Sequence, residues 1–176
     1  MIPHSRPSIE ADDVAAVLRQ LETGMLAEGA GTQALEAAFR TRESAAGAVA
    51  VGSGCQALLL ALRALGIADG DEVILPSYVC PEVLGVVEWC GATPVIVDIA
   101  DDYLLDATAA AAAITDRTRA MVLPYVLGFY RSPASLQALG LPLIEDCAPL
   151  LPASTTAFPL HGQLVTYSFE ATKWIA

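Results

Sequence analysis

Short, unbroken runs of aliphatic residues recur along the chain, at 48–51, 72–75, 94–97, 120–123, 143–144 and 164–167. They are rich in Val, Ile and Leu and do not alternate apolar with polar. A strand with one wet face alternates with period two, whereas a strand covered on both faces reads as a continuous apolar run. Between several of the runs lie helix-like segments, at 53–65, 81–90, 106–114 and 133–139. Strand, helix, strand in repeated order predicts an α/β fold: a mainly parallel sheet with helices outside it, in three α/β/α layers. Two helices are expected ahead of this alternation. One covers 8–22, with Ser8 as N-cap after Pro7 and an apolar stripe of Val14, Val17, Leu18 and Leu21. The other covers 32–42, with Leu35 and Phe39 on one face, after a loop marked by Gly24, Gly29 and Gly31.

A chain of 176 residues is expected to form one domain, over 1–176. Its hydrophobic fraction is 55% and its charged fraction 16%, against averages of about 45–50% and about 25%. The excess apolar surface is expected to meet something else. Two stretches, 44–62 and 147–169, carry no charge, but glycines interrupt the first and Pro149, Pro152 and Pro159 the second, so neither reads as a membrane span. The first residues hold no apolar signal core, and a cytoplasmic protein is expected. A net charge of −11 argues against nucleic acid and anionic membrane surfaces as partners. Cys55, Cys80, Cys90 and Cys147 form no CxxC pair, and His4 and His161 share no motif with them. No metal site and no disulfide framework is expected.

Three features carry chemistry. The segment around Gly52-Ser53-Gly54-Cys55 is a glycine turn at a helix start, where free backbone N–H groups favour a phosphate. It also fits a loose dinucleotide fingerprint, which requires an acid at the end of the next strand to hold a ribose. Asp71 and Glu72 have roughly that spacing but precede the strand, which counts against a nucleotide-binding oxidoreductase. A second feature is the pair of acids closing Leu143-Ile144-Glu145-Asp146, although Asp98 closes 94–97 in the same way. The third is Lys173, the only lysine among nine basic residues. An amine can form a Schiff base, which guanidinium cannot.

The segments GSGCQALLLALRALGIADGDEVILPSYVCPEV, GATPVIVDI, ITDRTRAMVLPYVLG, LIEDCAP and YSFEATK occur in this order and at familiar spacing. Together they resemble the pyridoxal-phosphate (PLP) aminotransferases of the DegT/StrS type, which aminate nucleotide-linked keto-sugars. The resemblance implies that Lys173 holds PLP covalently and moves protons, and that Asp146 pairs with the pyridinium nitrogen. It implies phosphate contacts for Ser53, Gly54, Cys55 and Ser168. Cys80 stands where an aromatic ring often stacks on the cofactor, Cys55 where threonine is common, and Pro149 where glutamine or histidine often follows. The implied substrates are a keto-sugar and a glutamate or glutamine donor. Members of the family are considerably longer, so the chain is expected to be the N-terminal part of the large domain, without the strand that follows the lysine and without the small C-terminal domain. A homo-oligomer or a complementary C-terminal half is the expected partner. A non-catalytic relative that binds PLP or regulates a partner is the alternative.

Overall fold

The computed structural model describes residues 7–150, 160–170 and 173. Five strands form one sheet: β1 (Glu72–Pro76), β2 (Thr93–Val97), β3 (Thr118–Pro124), β4 (Leu143–Asp146) and β5 (Leu164–Thr166). Their spatial order is β2-β1-β3-β4-β5, and every neighbouring pair is parallel. The helices are α1 (Ala11–Glu22), α2 (Ala30–Arg42), α3 (Gly54–Ala64), α4 (Pro81–Trp89), α5 (Ala107–Ala113) and α6 (Ala134–Gln137), with a short 3-10 turn at Val126–Gly128.

The unbroken aliphatic runs are explained by the two cores. Val73 and Leu75 of β1, with Ala120, Val122 and Ile144, pack against Leu58 and Leu62 of α3 and Val83, Val86 and Val87 of α4. Ile74, between them in sequence, points to the other side, where Met121, Leu123 and Leu143 meet Ala110 of α5 and Leu136 of α6. Successive side chains of a strand face opposite ways, so a strand between two helical layers must be apolar throughout. The edge strand β2 is covered less, and Ile96 is 45% exposed.

Helix starts follow local chemistry. Ser53 accepts a bond from the Gln56 amide at 3.2 Å, and Asp106 accepts one from the Ala109 amide at 2.7 Å, so both are N-caps, not first helical residues. The helix expected at 8–22 begins instead at Ala11. Ser8 is not its cap: the Glu10 amide donates to the Asp13 carboxylate at 2.8 Å, which closes the first turn three residues in. The apolar stripe of α1 stays outside the core, with Val14, Val17, Leu18 and Leu21 each at least half exposed.

Residues 48–51 do not form the expected strand. A strand needs a ladder partner, and none is present among the described residues. The Ala50 amide is satisfied by the Glu36 carboxylate at 2.9 Å, and Val49 is 70% exposed. At the amino end of β1, buried Glu72 accepts bonds from Thr115 and Arg117, both at 2.5 Å. The Thr115 hydroxyl first, and Arg117 as well, hold its carboxyl below the usual range. An acid committed in this way, at the end of the sheet remote from the strand termini, is not a ribose ligand. Among the described residues, no helix is long and apolar enough to cross a membrane.

Candidate active site

The carboxyl ends of five parallel strands open onto one edge of the sheet, where ligands bind in folds of this class. The N-terminus of α3 reaches this edge. Ser53 spends its hydroxyl on capping the helix, while the Gln56 side chain accepts the Gly52 amide at 2.9 Å. The turn is therefore closed on itself, and the first amides of α3, those of Gly54 and Cys55, make no backbone hydrogen bond among the described residues. The Cys55 side chain turns away and packs against the α3–α4 core. Gly54 abuts the chain leaving β5: a β-carbon on Gly54 would lie 3.3 Å from Ser168 Cβ and 3.5 Å from its hydroxyl oxygen. Ser168 is half-buried there, and its oxygen accepts the Glu170 amide at 3.4 Å.

Asp146 closes β4 and is 8% exposed. Its Oδ1 accepts the Ala148 amide at 3.0 Å and the Thr166 hydroxyl at 3.2 Å. Among the described residues, no donor reaches Oδ2. Burial pushes its carboxyl up, opposed by the Ala148 amide, the Thr166 hydroxyl and the Lys173 ammonium. Lys173 is half-buried, and its amide donates to the Glu170 carbonyl at 2.8 Å. Its charge acts on Asp146, Cys80 and Glu82. Cys80 is the N-cap of α4 and lines an open cavity of about 260 Å³ with Tyr78, Val79, Val126, Leu127 and Pro149.

The sequence-predicted residues thus occupy one edge, with Gly54 against Ser168, Asp146 under the field of Lys173, and Cys80 on the cavity wall. Ser53 and Cys55 are there by backbone position, with their side chains engaged elsewhere. Asp98, the other strand-terminal acid, is exposed beyond edge strand β2 and accepts its neighbour's amide at 2.9 Å. His161 is engaged through its backbone: its amide donates to Glu145 at 2.5 Å and its carbonyl accepts from the Gln137 side chain at 2.8 Å; His4 lies outside the described residues.

Sequence reasoning missed Thr166, and it read Glu145 only as one of a pair of strand-terminal acids. Thr166 stands opposite Asp146 in the β4–β5 register, a pairing that no local pattern predicts. Glu145 is fully buried on the other face of β4, where Tyr125 and the amides of His161 and Gly162 donate to it. Burial first, and the bond to Glu145 second, push the Tyr125 hydroxyl far up. Glu145 thereby ties the carboxyl end of β3 and the approach to β5 to the strand that carries Asp146. Among the described residues, the buried Tyr167 hydroxyl has no partner at hydrogen-bonding geometry, although Cys147 and Glu43 are near enough to act on it. Among the described residues, no cluster of His, Cys, Asp and Glu is arranged to hold a metal ion.

Fold and site together define an α/β protein that brings a helix N-terminus and a buried acid to one sheet edge, the acid within the field of an amine. The chain belongs to the DegT/DnrJ/EryC1/StrS aminotransferase family, whose profile matches residues 7–176. It is similar to the PLP form of a Streptococcus pneumoniae protein described as a sugar aminotransferase, with 26% identity over 98% of this chain and 50% of that one, at a TM-score of 0.92. An aminotransferase from Psychrobacter cryohalolentis is 29% identical over 96% of this chain and 45% of its own, at a TM-score of 0.88. DesV of S. venezuelae, solved with a ketimine intermediate, is 35% identical over 83% of this chain and 43% of its own, at a TM-score of 0.77. The chain spans about half the length of the solved structures it matches.

Proposed function

We propose that this chain supplies the cofactor-holding part of a PLP-dependent aminotransferase, which moves an amino group from glutamate or glutamine onto a keto-sugar, a nucleotide-linked one by preference. The reading is carried by the convergence of the α3 N-terminus, Ser168, Asp146 and Lys173 at one sheet edge.

These residues fit the group. A phosphate suits the free amides of Gly54 and Cys55 and the Ser168 hydroxyl beside them. A cationic N–H suits Asp146, a buried carboxyl that holds its proton too tightly when no full counter-charge faces it. When bound, PLP supplies an aldehyde that exchanges amines and a ring that accepts electron density from substrate carbon.

The protein's own part is positional and electrostatic. Asp146 is fixed through Oδ1 by Thr166 and Ala148, which leaves Oδ2 as the oxygen that would pair with the ring N–H and keep it protonated. Lys173 places one amine at the same edge, where its Nζ gives and takes the proton at the reacting carbon. Cys80 and Pro149 border an open cavity beside these strand ends. The remaining wall belongs to further chain, supplied by a small C-terminal domain, a complementary half or a second copy of this chain. Two observations support that assignment: the chain spans half of its structural relatives, and β5 has no outer neighbour among the described residues. Closure by that wall excludes water and orients the substrate.

Lys173 is the only side-chain amine in the sequence, which makes the test direct. The protein is mixed with PLP, reduced with borohydride, digested and mapped by mass spectrometry. The expected result is a single pyridoxyl group on Lys173, absent from Lys173→Arg. A reduced adduct confined to the N-terminal amine, or no adduct, sinks the reading. Amino transfer is then assayed with glutamate and a nucleotide-linked keto-sugar, with and without the complementary half.

A further inference from the structure

β5 is three residues long and lies at the edge of the described sheet. Its apolar pattern does little to fix its register. Leu164 packs into one core and Val165 into the other. Both faces accept an aliphatic side chain, so the alternation that usually specifies register is weak here. A slip would fall on the site. Thr166 donates to Asp146 Oδ1 at 3.2 Å because the two stand opposite one another. One step along the strand brings Val165 or Tyr167 opposite Asp146 and turns Thr166 to the other face.

What holds the register is polar. Just before β5, the successive amides of His161 and Gly162 both donate to Glu145 Oε1, the first at 2.5 Å. The next amide, of Gln163, donates to the Leu143 carbonyl at 3.0 Å. Three consecutive N–H groups are thus spent on β4. The other oxygen of the carboxylate accepts the Tyr125 hydroxyl at the end of β3. Successive amides aimed at one oxygen form an anion-binding concavity, and this one closes on a glycine: a β-carbon on Gly162 would stand 2.9 Å from the Leu143 carbonyl oxygen. Glu145 is fully buried. A buried carboxylate is costly, and fixing a register is the best-attested use of such a group. We propose that Glu145 is a positioning residue: by gripping the amides of residues 161 and 162 it fixes the β4–β5 register, and so sets Thr166 against Asp146 and Ser168 against Gly54. The register stands on these hydrogen bonds, and its bearing on amino transfer rests on the cofactor reading proposed for this edge.

A cross-link that needs no cofactor reads the register. A β-carbon on Gly54 would lie 3.3 Å from Ser168 Cβ, close to the about 3.5–4.5 Å that a disulfide spans. The full chain carrying Gly54→Cys and Ser168→Cys, in a Cys55→Ala background, is oxidised. The bridged peptide is quantified by mass spectrometry relative to the folded fraction from circular dichroism. A one-residue slip carries position 168 about 3.3 Å along the strand and turns it away. Glu145→Met fills the space without an acceptor and is expected to lower the yield about tenfold. Glu145→Gln keeps an acceptor oxygen at the same reach and is expected to match the parent. Ile67→Ala, a truncation in the other core, lowers stability away from the clamp and is also expected to match it. An unchanged yield in Glu145→Met, or an equal fall in Glu145→Gln or Ile67→Ala, overturns the proposal. Should Glu145→Met not fold, Glu145→Asp decides: the charge stays, the reach shortens by a methylene, and an unchanged yield overturns the proposal equally. In a second measurement, without the engineered cysteines, PLP binding and the borohydride-fixed adduct on Lys173 are compared. Glu145→Met is expected to bind PLP about tenfold more weakly, and Glu145→Gln to recover the affinity. Undiminished binding in Glu145→Met beside a lost cross-link overturns the positioning role. An absent adduct in the wild type overturns the cofactor reading, while the cross-link still decides the register.

Discussion

Gly54 and Ser168 stand so close that a β-carbon on the glycine would lie 3.3 Å from the serine's own. The N-terminus of α3 and the chain leaving β5, more than a hundred residues apart in sequence, therefore share one point at the sheet edge. Gly54→Ala adds a methyl group at that point. In a helix the exchange ordinarily stabilises by about 0.5–1 kcal/mol, and crowding against Ser168 offsets the gain. The expected outcome is a nearly unchanged Tm with PLP affinity weakened about tenfold, or about 1.4 kcal/mol. Pyridoxal without its phosphate should bind the two proteins alike, which spectrophotometric titration of both ligands checks.

Asp146 holds its proton above the ordinary carboxylate range because it is buried. A folded-state pKa above the unfolded one means that the folded chain binds the proton more tightly. The associated stabilisation is full below the unfolded value of about 3.9 and is lost as pH rises through the folded value. Without cofactor, Asp146→Asn should remove this loss, so the variant gains on the wild type between acid and neutral pH. The same variant should bind PLP at least about 100-fold more weakly, because an amide cannot neutralise a cationic ring N–H. Urea melts at acid and neutral pH, with and without PLP, separate the two effects. Equal pH dependence in the two apo-proteins would contradict the burial argument.

Thr166 donates to the acid from the neighbouring strand at 3.2 Å. Thr166→Val keeps the shape, removes the donor and leaves a buried carboxyl oxygen with less support. A loss of about 1–3 kcal/mol is expected, together with a further rise of the Asp146 titration. Thr166→Ser restores the hydroxyl and should recover most of the PLP affinity, an outcome that a packing defect alone would not give.

Glu145 makes a different prediction, on stability. Tyr125→Phe removes one of its donors and should destabilise by about 1–3 kcal/mol, measured by denaturant unfolding. Gly162→Ala should also destabilise, by about 1–3 kcal/mol. Its β-carbon would stand 2.9 Å from the Leu143 carbonyl oxygen, a backbone atom, and 3.0 Å from Glu145 Cγ. Because both changes act through the same carboxylate, their combination should cost less than the sum of the two.

The extent to which the fold was legible differs element by element. The double burial of β1 could be read from Val73-Ile74-Leu75, because side chains on both faces of a strand must be apolar when helices cover both faces. Ser53 and Asp106 could be read as starting helices, because a capping bond spans only three residues. Residues 48–51 have the same aliphatic look as β1 and form no strand, because composition supplies no ladder partner. The pyridine acid was proposed from resemblance to a family, since Asp98 and Asp146 each close an aliphatic run and look alike locally.

The sequence alone determined the local terms: which segments are apolar on every side, where the helices capped by Ser53 and Asp106 begin, and that a single side-chain amine is available at Lys173. Tertiary structure decided which groups are neighbours. Strand order puts β4 beside β5 and leaves β2 at the far edge, so Asp146 meets Thr166 and feels Lys173 while Asp98 faces solvent. It also set Glu145 inside and Glu82 outside, one accepting bonds from a tyrosine and two amides, the other from a thiol. The physical reason is range. Capping and apolar patterning act within a turn or a strand, whereas pairing register, burial of a charge and the field of a distant ammonium exist only once the chain has closed on itself.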